Sequence, residues 1–400
     1  MIPFSPPRTD QKSVEAVSEV LLSGWITTGP KTKEFERRIA EYCGVEEVFC
    51  TNSATAGLEL TLRWFGVGPG DEVIIPAYTY CATANVVMHC GAKPVLIDID
   101  PKDFCIDTKK VAGAISPKTK VIIPVDIGGL PCQYNELNRI VEEARIGFVS
   151  NSEMQEKLGR PLLLSDSAHS FGGLINGKHT GALTDISVFS FHAVKNLTTA
   201  EGGAMAFNLP NTFDQQEIYN EMNTMSLHGQ SKDALAKSSG ASWKYDVVSA
   251  GYKCNMTDIQ AAIGLVEMDR YSETLERRKM ICERYANGLS RFDWAEMPIL
   301  TDEDRTTAYH LYLLRIKGIT ESQRDRIIEL IFAKGVSVNV HFRPLPELTA
   351  YKHLGYLPED LPNTFDSYRR EITLPVYFDL TAEQVETVIQ AVIDSVNSVL

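Results

Sequence analysis

No stretch of this 400-residue sequence is apolar over the length needed to cross a bilayer as a helix. Cations are in short supply: 39 Lys and Arg stand against 52 Asp and Glu, for a net charge of -13, with the acids scattered along the chain. Nucleic acid and anionic membrane surfaces both require a basic face, so neither is expected as a partner. A phosphate-bearing small molecule stays compatible, because a few local cations and backbone amides suffice for it. The eight cysteines show no Cys-x-x-Cys or Cys/His ligand spacing, which predicts reduced, mostly buried thiols and no structural metal. The opening Met-Ile-Pro-Phe-Ser-Pro-Pro-Arg has neither a basic region nor an apolar run of the secretory type, so the expected location is the cytoplasm. What is there is an ordinary globular composition, 44% hydrophobic and 23% charged, in a chain long enough for two domains.

Short apolar runs at 48–51, 72–76, 94–99, 121–125, 162–164, 188–191 and 203–207 read as strands. Helical spacing fills most of the intervals, at 11–22, 31–43, from about 54 to 65, up to about 90, 108–115 and 136–144. Strands alternating with helices predict an α/β fold whose large, mostly parallel sheet is covered on both faces. Residues 146–160 break the rhythm and read as a surface excursion without catalytic importance. From 258 to 289 two helices lead to a smaller unit, read as strand 310–316, helix 321–333, strand 336–340 and a last helix from 382 to 399. The expected division is 1–255 for the large domain and 256–400 for the linking helices and the small one.

Ligands on such sheets gather at the carboxyl ends of the strands. Lys195 falls in the polar turn between the apolar runs ending at Phe191 and beginning at Gly203. Alone it reads as an exposed loop charge. Asp166, at the end of the run 161–164, changes that reading: a lysine amine can condense with the aldehyde of pyridoxal phosphate, and an acid on the pyridinium nitrogen makes the ring an electron sink. Thr51-Asn52-Ser53-Ala54-Thr55-Ala56-Gly57 turns a strand into a helix through small residues, as a phosphate cup does and as an ordinary N-cap also does. Tyr80 suits the face of a flat ring or simple core. Thr28 and Gly29, in Trp25-Ile26-Thr27-Thr28-Gly29-Pro30, suit a ligand-facing edge or a plain loop. His341 and Arg343 flank Phe342 and suit a diphosphate with its sugar or base, or a capped strand end. His228 and His310 read as structural.

These segments carry a resemblance. Ser23 to Pro30, Ser53-Ala54-Thr55-Ala56-Gly57, Asp166-Ser167-Ala168-His169, Ser190-Phe191-His192-Ala193-Val194-Lys195-Asn196 and Glu201-Gly202-Gly203 together resemble the DegT/StrS family of pyridoxal-phosphate-dependent sugar aminotransferases, over nearly the whole chain. Phe191 to Asn196 and Gly251-Tyr252-Lys253-Cys254-Asn255 are most similar to the branch that aminates a UDP-linked 4-ketosugar to 4-amino-4-deoxy-L-arabinose.

The resemblance implies the aspartate aminotransferase fold (fold type I) and a ping-pong exchange in which L-glutamate gives its amine to the cofactor and a UDP- or dTDP-linked ketosugar accepts it. Lys195 then holds the cofactor and shuttles a proton, while Asp166 keeps the ring nitrogen protonated. Ala54, Thr55 and Ser190 grip the phosphate, Ser53 belongs to the same cofactor-binding set, Tyr80 stacks on the ring, and His169 lies against the ring or its phenolic oxygen. Thr28, Gly29, His341 and Arg343 are implied for substrate. The family's dehydratases carry a histidine in place of the lysine, so dehydratase chemistry is disfavoured. A departure stands at Gly251 to Asn255, where many members place an asparagine third and an arginine fifth; here Lys253 and Asn255 occupy those places, and either side chain is a candidate to reach a partner subunit's cofactor phosphate in a homodimer. Carbon 3 against carbon 4, the nucleotide, and lipopolysaccharide, capsule or another glycoconjugate as destination remain open. An amino-acid lyase and a non-enzymatic sugar-nucleotide sensor are the alternatives.

Overall fold

The computed structural model describes residues 1–231 and 245–400. The chain enters through α1 (Gln11–Ser23) and α2 (Pro30–Cys43), each closed by a glycine in the left-handed region, Gly24 and Gly44. There follow β1 (Glu47–Thr51), α3 (Ala54–Trp64), β2 (Glu72–Pro76), α4 (Cys81–His89), β3 (Lys93–Ile97), α5 (Thr108–Ala114), β4 (Thr119–Ile122), α6 (Tyr134–Glu143), α7 (Glu153–Leu158) and β5 (Leu162–Asp166). A small hairpin, β6 (Leu174–Ile175) and β7 (Lys178–His179), precedes β8 (Ile186–Ser190), β9 (Gly203–Phe207) and α8 (Gln215–Ser226).

Seven of these strands form one sheet in the order β1-β9-β8-β5-β4-β2-β3. Only β9 runs against the rest, pairing antiparallel with both β1 and β8. Helices cover both faces, which is why Val73, Ile74 and Ile75 follow one another with no polar alternation and are all fully buried. Burying each such side chain contributes about 1.5–3 kcal/mol. Because the strands are parallel, the ends of β1, β2, β4, β5 and β8 open on one edge of the sheet, and the polar residues that follow them meet there.

The remainder comprises α9 (Asp258–Asp269), α10 (Tyr271–Leu289), β10 (Ala295–Glu296), β11 (Arg305–Thr306), β12 (Tyr312–Ile316), α11 (Glu321–Ala333), α12 (Pro362–Arg370), β13 (Glu371–Leu374) and α13 (Ala382–Asn397). α9 begins with a reciprocal cap between Thr257 and Gln260. An antiparallel sheet in the order β10-β12-β13 packs with α10, α11 and α13 around a second core that includes Tyr285, Tyr312, Ile327 and Val392.

Two expectations are corrected. Residues 336–340 form no continuous strand: Val336 bridges to Ile2 and Asn339 to Thr373, and a segment that changes partner so quickly cannot sustain a ladder. The sheet strand is β13, at Glu371–Leu374. Residues 146–160 are more than a surface excursion. Ile146 is exposed, but the segment folds into α7, whose fully buried Gln155 donates to the Phe65 carbonyl at 2.9 Å. Arg160, also buried, makes a paired contact with Asp185 at 2.7 and 2.9 Å. The carboxylate partner of that arginine lies beyond β5, so local sequence presents a solvated charge where the fold supplies a buried ion pair.

Candidate active site

The convergent strand ends enclose a cavity of about 460 Å³ lined by Ser53, Ala54, Thr55, Tyr80, Asp166, His169, Ser190, Lys195 and His341, among others. That size lies within the range of roughly 300–1,000 Å³ found for small-molecule sites. Asp166 ends β5, Ser190 ends β8, Ser53 caps α3 after β1, and Tyr80 precedes α4 after β2.

Lys195 is held by a closed turn. Its own N–H donates to the His192 carbonyl at 2.9 Å, Phe191 N donates to Gly202 O at 2.9 Å, and the side chain of Asn196 donates to the Ala308 carbonyl at 2.6 Å. Burial disfavours the ammonium form and brings the amine down to about 8, the Asp166 carboxylate opposing the shift. The neutral, nucleophilic fraction therefore rises as pH rises through about 8, well below the range of a surface lysine. Competitive acylation of the cofactor-free protein, read peptide by peptide, should give Lys195 a midpoint near 8, with exposed lysines titrating near 10.5. A Lys195 midpoint among those of the surface lysines would contradict the burial argument.

Asp166 Oδ2 accepts from the Thr83 hydroxyl at 2.8 Å and Oδ1 from Ala168 N at 3.3 Å. Burial pushes its carboxyl above the usual range; the Thr83 hydroxyl, the Ala168 amide and Lys195 pull the other way. Burial thus acts on acid and amine in opposite senses, leaving a carboxylate that gains from any further cation placed against it.

The start of α3 forms another wall. Ser53 Oγ caps the helix by accepting from Ala56 N at 3.2 Å, and the first helical amides have no partner inside the helix. β9 passes this helix so closely that a Cβ on Gly203 would lie 2.5 Å from Ala54 N. Glycine is required there to let strand and helix start approach.

Of the four histidines that line the cavity, His169, His310 and His341 are neutral, while His192 lies exposed. Burial holds His169 and His310 well below the usual histidine range, and burial with the Lys195 charge brings His341 to about 4. His169 Nδ1 accepts from Gly128 N at 3.3 Å, His310 Nδ1 meets Asn196 Oδ1 at 2.9 Å, and the rings of His169 and His310 are 4.5 Å apart. No arginine is found among the described lining residues.

The other sequence-derived candidates lie elsewhere. Thr28, Gly29 and Asn255 sit together beside Asp258: Asn255 Nδ2 donates to Thr28 Oγ1 at 2.6 Å and Gly29 N to Asp258 Oδ1 at 2.8 Å, while Lys253 Nζ bonds Asn255 Oδ1. None of these lines the cavity. Arg343 is exposed and paired with Glu347 at 2.8 Å. His228 takes a left-handed backbone and donates its N–H to the Tyr252 carbonyl, away from the site. Sequence reasoning missed Thr83, Phe4 and Ser5, and assigned His310 no place in the site; their positions depend on contacts distant in sequence, and no local motif marks them.

This donor set fits pyridoxal phosphate. The buried amine of Lys195 suits its aldehyde, the buried carboxylate of Asp166 its ring nitrogen, and the α3 amides with the Ser53, Thr55 and Ser190 hydroxyls its phosphate.

The family model described as "DegT/DnrJ/EryC1/StrS aminotransferase family" matches residues 7–393. The putative sugar aminotransferase Spr1654 from Streptococcus pneumoniae is similar in its PMP form, at 45% identity with a TM-score of 0.97 over 100% of both chains. Its PLP form matches at 44% and 0.95, over 100% of this chain and 99% of that one. Spore coat polysaccharide biosynthesis protein SpsC from Bacillus subtilis is 35% identical over 99% of this chain and 97% of its own length. Helicobacter pylori PseC, an aminotransferase involved in the biosynthesis of pseudoaminic acid, shares 27% identity at a TM-score of 0.87, over 99% of each chain.

Proposed function

The chain belongs to the DegT/DnrJ/EryC1/StrS aminotransferase family, and from that premise we propose that it moves the amino group of L-glutamate onto carbon 4 of a UDP- or dTDP-linked ketosugar. It is a sugar aminotransferase that works with pyridoxal phosphate. The observation that carries the reading is the opposition of a buried amine, Lys195, and a buried carboxylate, Asp166, in one cavity that opens onto a helix start.

Pyridoxal phosphate, when bound, supplies an electron sink that allows an amino group to leave one carbon and be delivered to another. Lys195 Nζ anchors the cofactor and afterwards takes and returns a proton at the carbon that loses or gains the amine. Asp166 holds the proton on the ring nitrogen. Ser53, Ala54, Thr55 and Ser190 bind the phosphate, Tyr80 covers the ring, and His169 meets the ring or its phenolic oxygen. The neutral imidazoles give the walls hydrogen-bonding capacity without net charge, which suits the hydroxyls of a sugar. Arg343, exposed and next in sequence to the cavity residues His341 and Phe342, is the cation assigned in this reading to a diphosphate outside the cavity.

Thr28, Gly29, Lys253 and Asn255 act in this reading from a second copy of the chain. Val14, Leu21, Leu22 and Ile26 on and after α1 are exposed apolar groups beside that cluster, as a homodimer interface would need. The working division stays at 1–255 and 256–400: the second core draws all but Ile2 from residues 281–396, while Leu345, Tyr351 and Leu361 of the later part pack into the core of the large sheet. Destination in cell-surface polysaccharide accords with the spore coat polysaccharide biosynthesis for which SpsC is named, and the enzyme is placed in the cytoplasm in this reading.

The experiment offers the loaded protein L-glutamate with a panel of UDP- and dTDP-linked 3- and 4-ketosugars, read by mass spectrometry. The reading expects 2-oxoglutarate and an amino sugar in equal amounts, with the 4-ketosugars preferred. Amino acids consumed to ammonia and a keto acid would identify a lyase, and cofactor absorption indifferent to glutamate would identify a sensor.

A further inference from the structure

Behind the cavity wall formed by His341 lies a closed set of hydrogen bonds that anchoring and cofactor binding do not use. Glu371, the first residue of β13, is fully buried. Its Oε2 accepts from the backbone N–H of His341 at 2.9 Å and its Oε1 meets the Thr373 hydroxyl at 2.5 Å. The same Thr373 oxygen meets His341 Nδ1 at 2.9 Å. Backbone bonds between Asn339 and Thr373, at 3.1 and 2.7 Å, fix the alignment. Phe4 stacks on the His341 ring, with centroids 5.6 Å apart and planes at 22°. With Nδ1 engaged, Nε2 is the ring nitrogen left for the cavity that His341 lines.

We propose that Glu371, Thr373 and His341 form a proton relay between a buried carboxyl group and the cavity, the protonation state of Glu371 fixing whether His341 Nε2 presents a lone pair or an N–H to the substrate. A hydroxyl has one hydrogen, so the direction of the chain follows from its ends. With Glu371 ionised, Thr373 donates to Oε1, accepts from His341 Nδ1–H, and Nε2 carries a lone pair. When a proton arrives at Nε2 from the cavity, the Nδ1 proton passes to Thr373 and the Thr373 proton to Glu371. One proton has entered and one carboxyl has gained it, with the imidazole neutral before and after. The reverse sequence returns the proton to the cavity. Glu371 and Thr373 are positioning residues; His341 is the group that touches substrate.

The surroundings keep this end of the relay near neutrality. Burial pushes Glu371 up to about 8, opposed by Thr373, the His341 amide and the Arg324 and Arg315 guanidiniums from α11 and β12. The Tyr78 phenol also faces it. Lys195, His169 and His310 face His341 from across the cavity. His341 itself stays neutral above about 4, so its change in this range is one of tautomer and not of charge.

The relay consists of bonds within this chain, and only its use in passing protons to a sugar rests on the proposed aminotransfer. The test is ¹⁵N NMR of the loaded, histidine-labelled protein, with His341 assigned by its loss in His341→Gln. In the wild type the ring should pass from the Nε2–H to the Nδ1–H tautomer as pH rises through about 8. In Glu371→Gln the amide oxygen must face the His341 N–H, so the amide nitrogen donates to Thr373 and the Nε2–H tautomer should persist at every pH. Thr373→Val should uncouple the ring from Glu371 and remove the transition while leaving the carboxyl in place. A wild-type tautomer that does not change, or a transition that survives in either variant, overturns the relay. As the kinetic counterpart, Glu371→Gln should remove an inflection near 8 from the kcat/KM profile for the acceptor sugar; failure of the sugar reading leaves the NMR result standing.

Discussion

Lys195→Ala should lower turnover by roughly three orders of magnitude or more, because one side chain supplies both the anchoring nucleophile and the proton carrier. Among the described residues that line the cavity there is no second lysine to take over. The neighbouring imidazoles are neutral, but His169 and His310 each have one ring nitrogen engaged with Gly128 or Asn196, and His341 is tied to Thr373. Cofactor affinity should fall far less than turnover, since the α3 start, the Ser190 hydroxyl and Asp166 remain. The variant should therefore bind the amine form of the cofactor and fail to recycle it. A small external amine should restore part of the rate, because it replaces the missing base without replacing the tether. The measurement is steady-state turnover beside cofactor retention by absorbance; wild-type turnover in the variant would remove Lys195 from the chemistry.

Asp166→Asn should lower turnover by roughly two to four orders of magnitude while leaving the cofactor-free fold at least as stable at neutral pH. An amide cannot hold the ring nitrogen protonated by charge, so the electron sink weakens. The effect on stability has the opposite sign. Burial raises the folded carboxyl above its unfolded value, so the folded state binds a proton that the unfolded chain has released. Stability then falls as pH rises through that interval, and above it the ionised carboxylate is a net cost that asparagine lacks. The Thr83 hydroxyl and the Ala168 amide can still donate to the asparagine oxygen, though not both to the positions they now hold. Thermal unfolding of the cofactor-free proteins, set beside their turnover, separates the two effects. Equal loss of stability and activity would mean that Asp166 is structural first.

The parallel sheet and the pair at its edge were legible because both depend on local pattern. Uninterrupted apolar runs such as Val73 to Ile75 mark doubly covered strands, and Asp166 and Lys195 stand where such runs stop. Ser53 is legible as a helix cap on the same grounds. What was not legible depends on pairs brought together by the tertiary fold. Thr83 reaches Asp166 across the sheet edge, and Glu371 reaches His341 only because 339–341 and β13 lie side by side. Arg160 falls in the segment read as a surface excursion, and its burial shows only once Asp185 is folded against it. The run 336–340 has the branched residues of a strand but lacks a lasting neighbour, whereas Glu371–Leu374 is short and begins with an acid, which hides a fully buried strand from local reading.

The central claim is that the amine at Lys195 is the point where the cofactor is anchored opposite Asp166. Borohydride reduction of the protein loaded with pyridoxal phosphate, followed by digestion and mass spectrometry, tests it most directly. The account predicts a phosphopyridoxyl mass on the peptide containing Lys195, absent in Lys195→Ala. A label on another lysine, or on none, would contradict it.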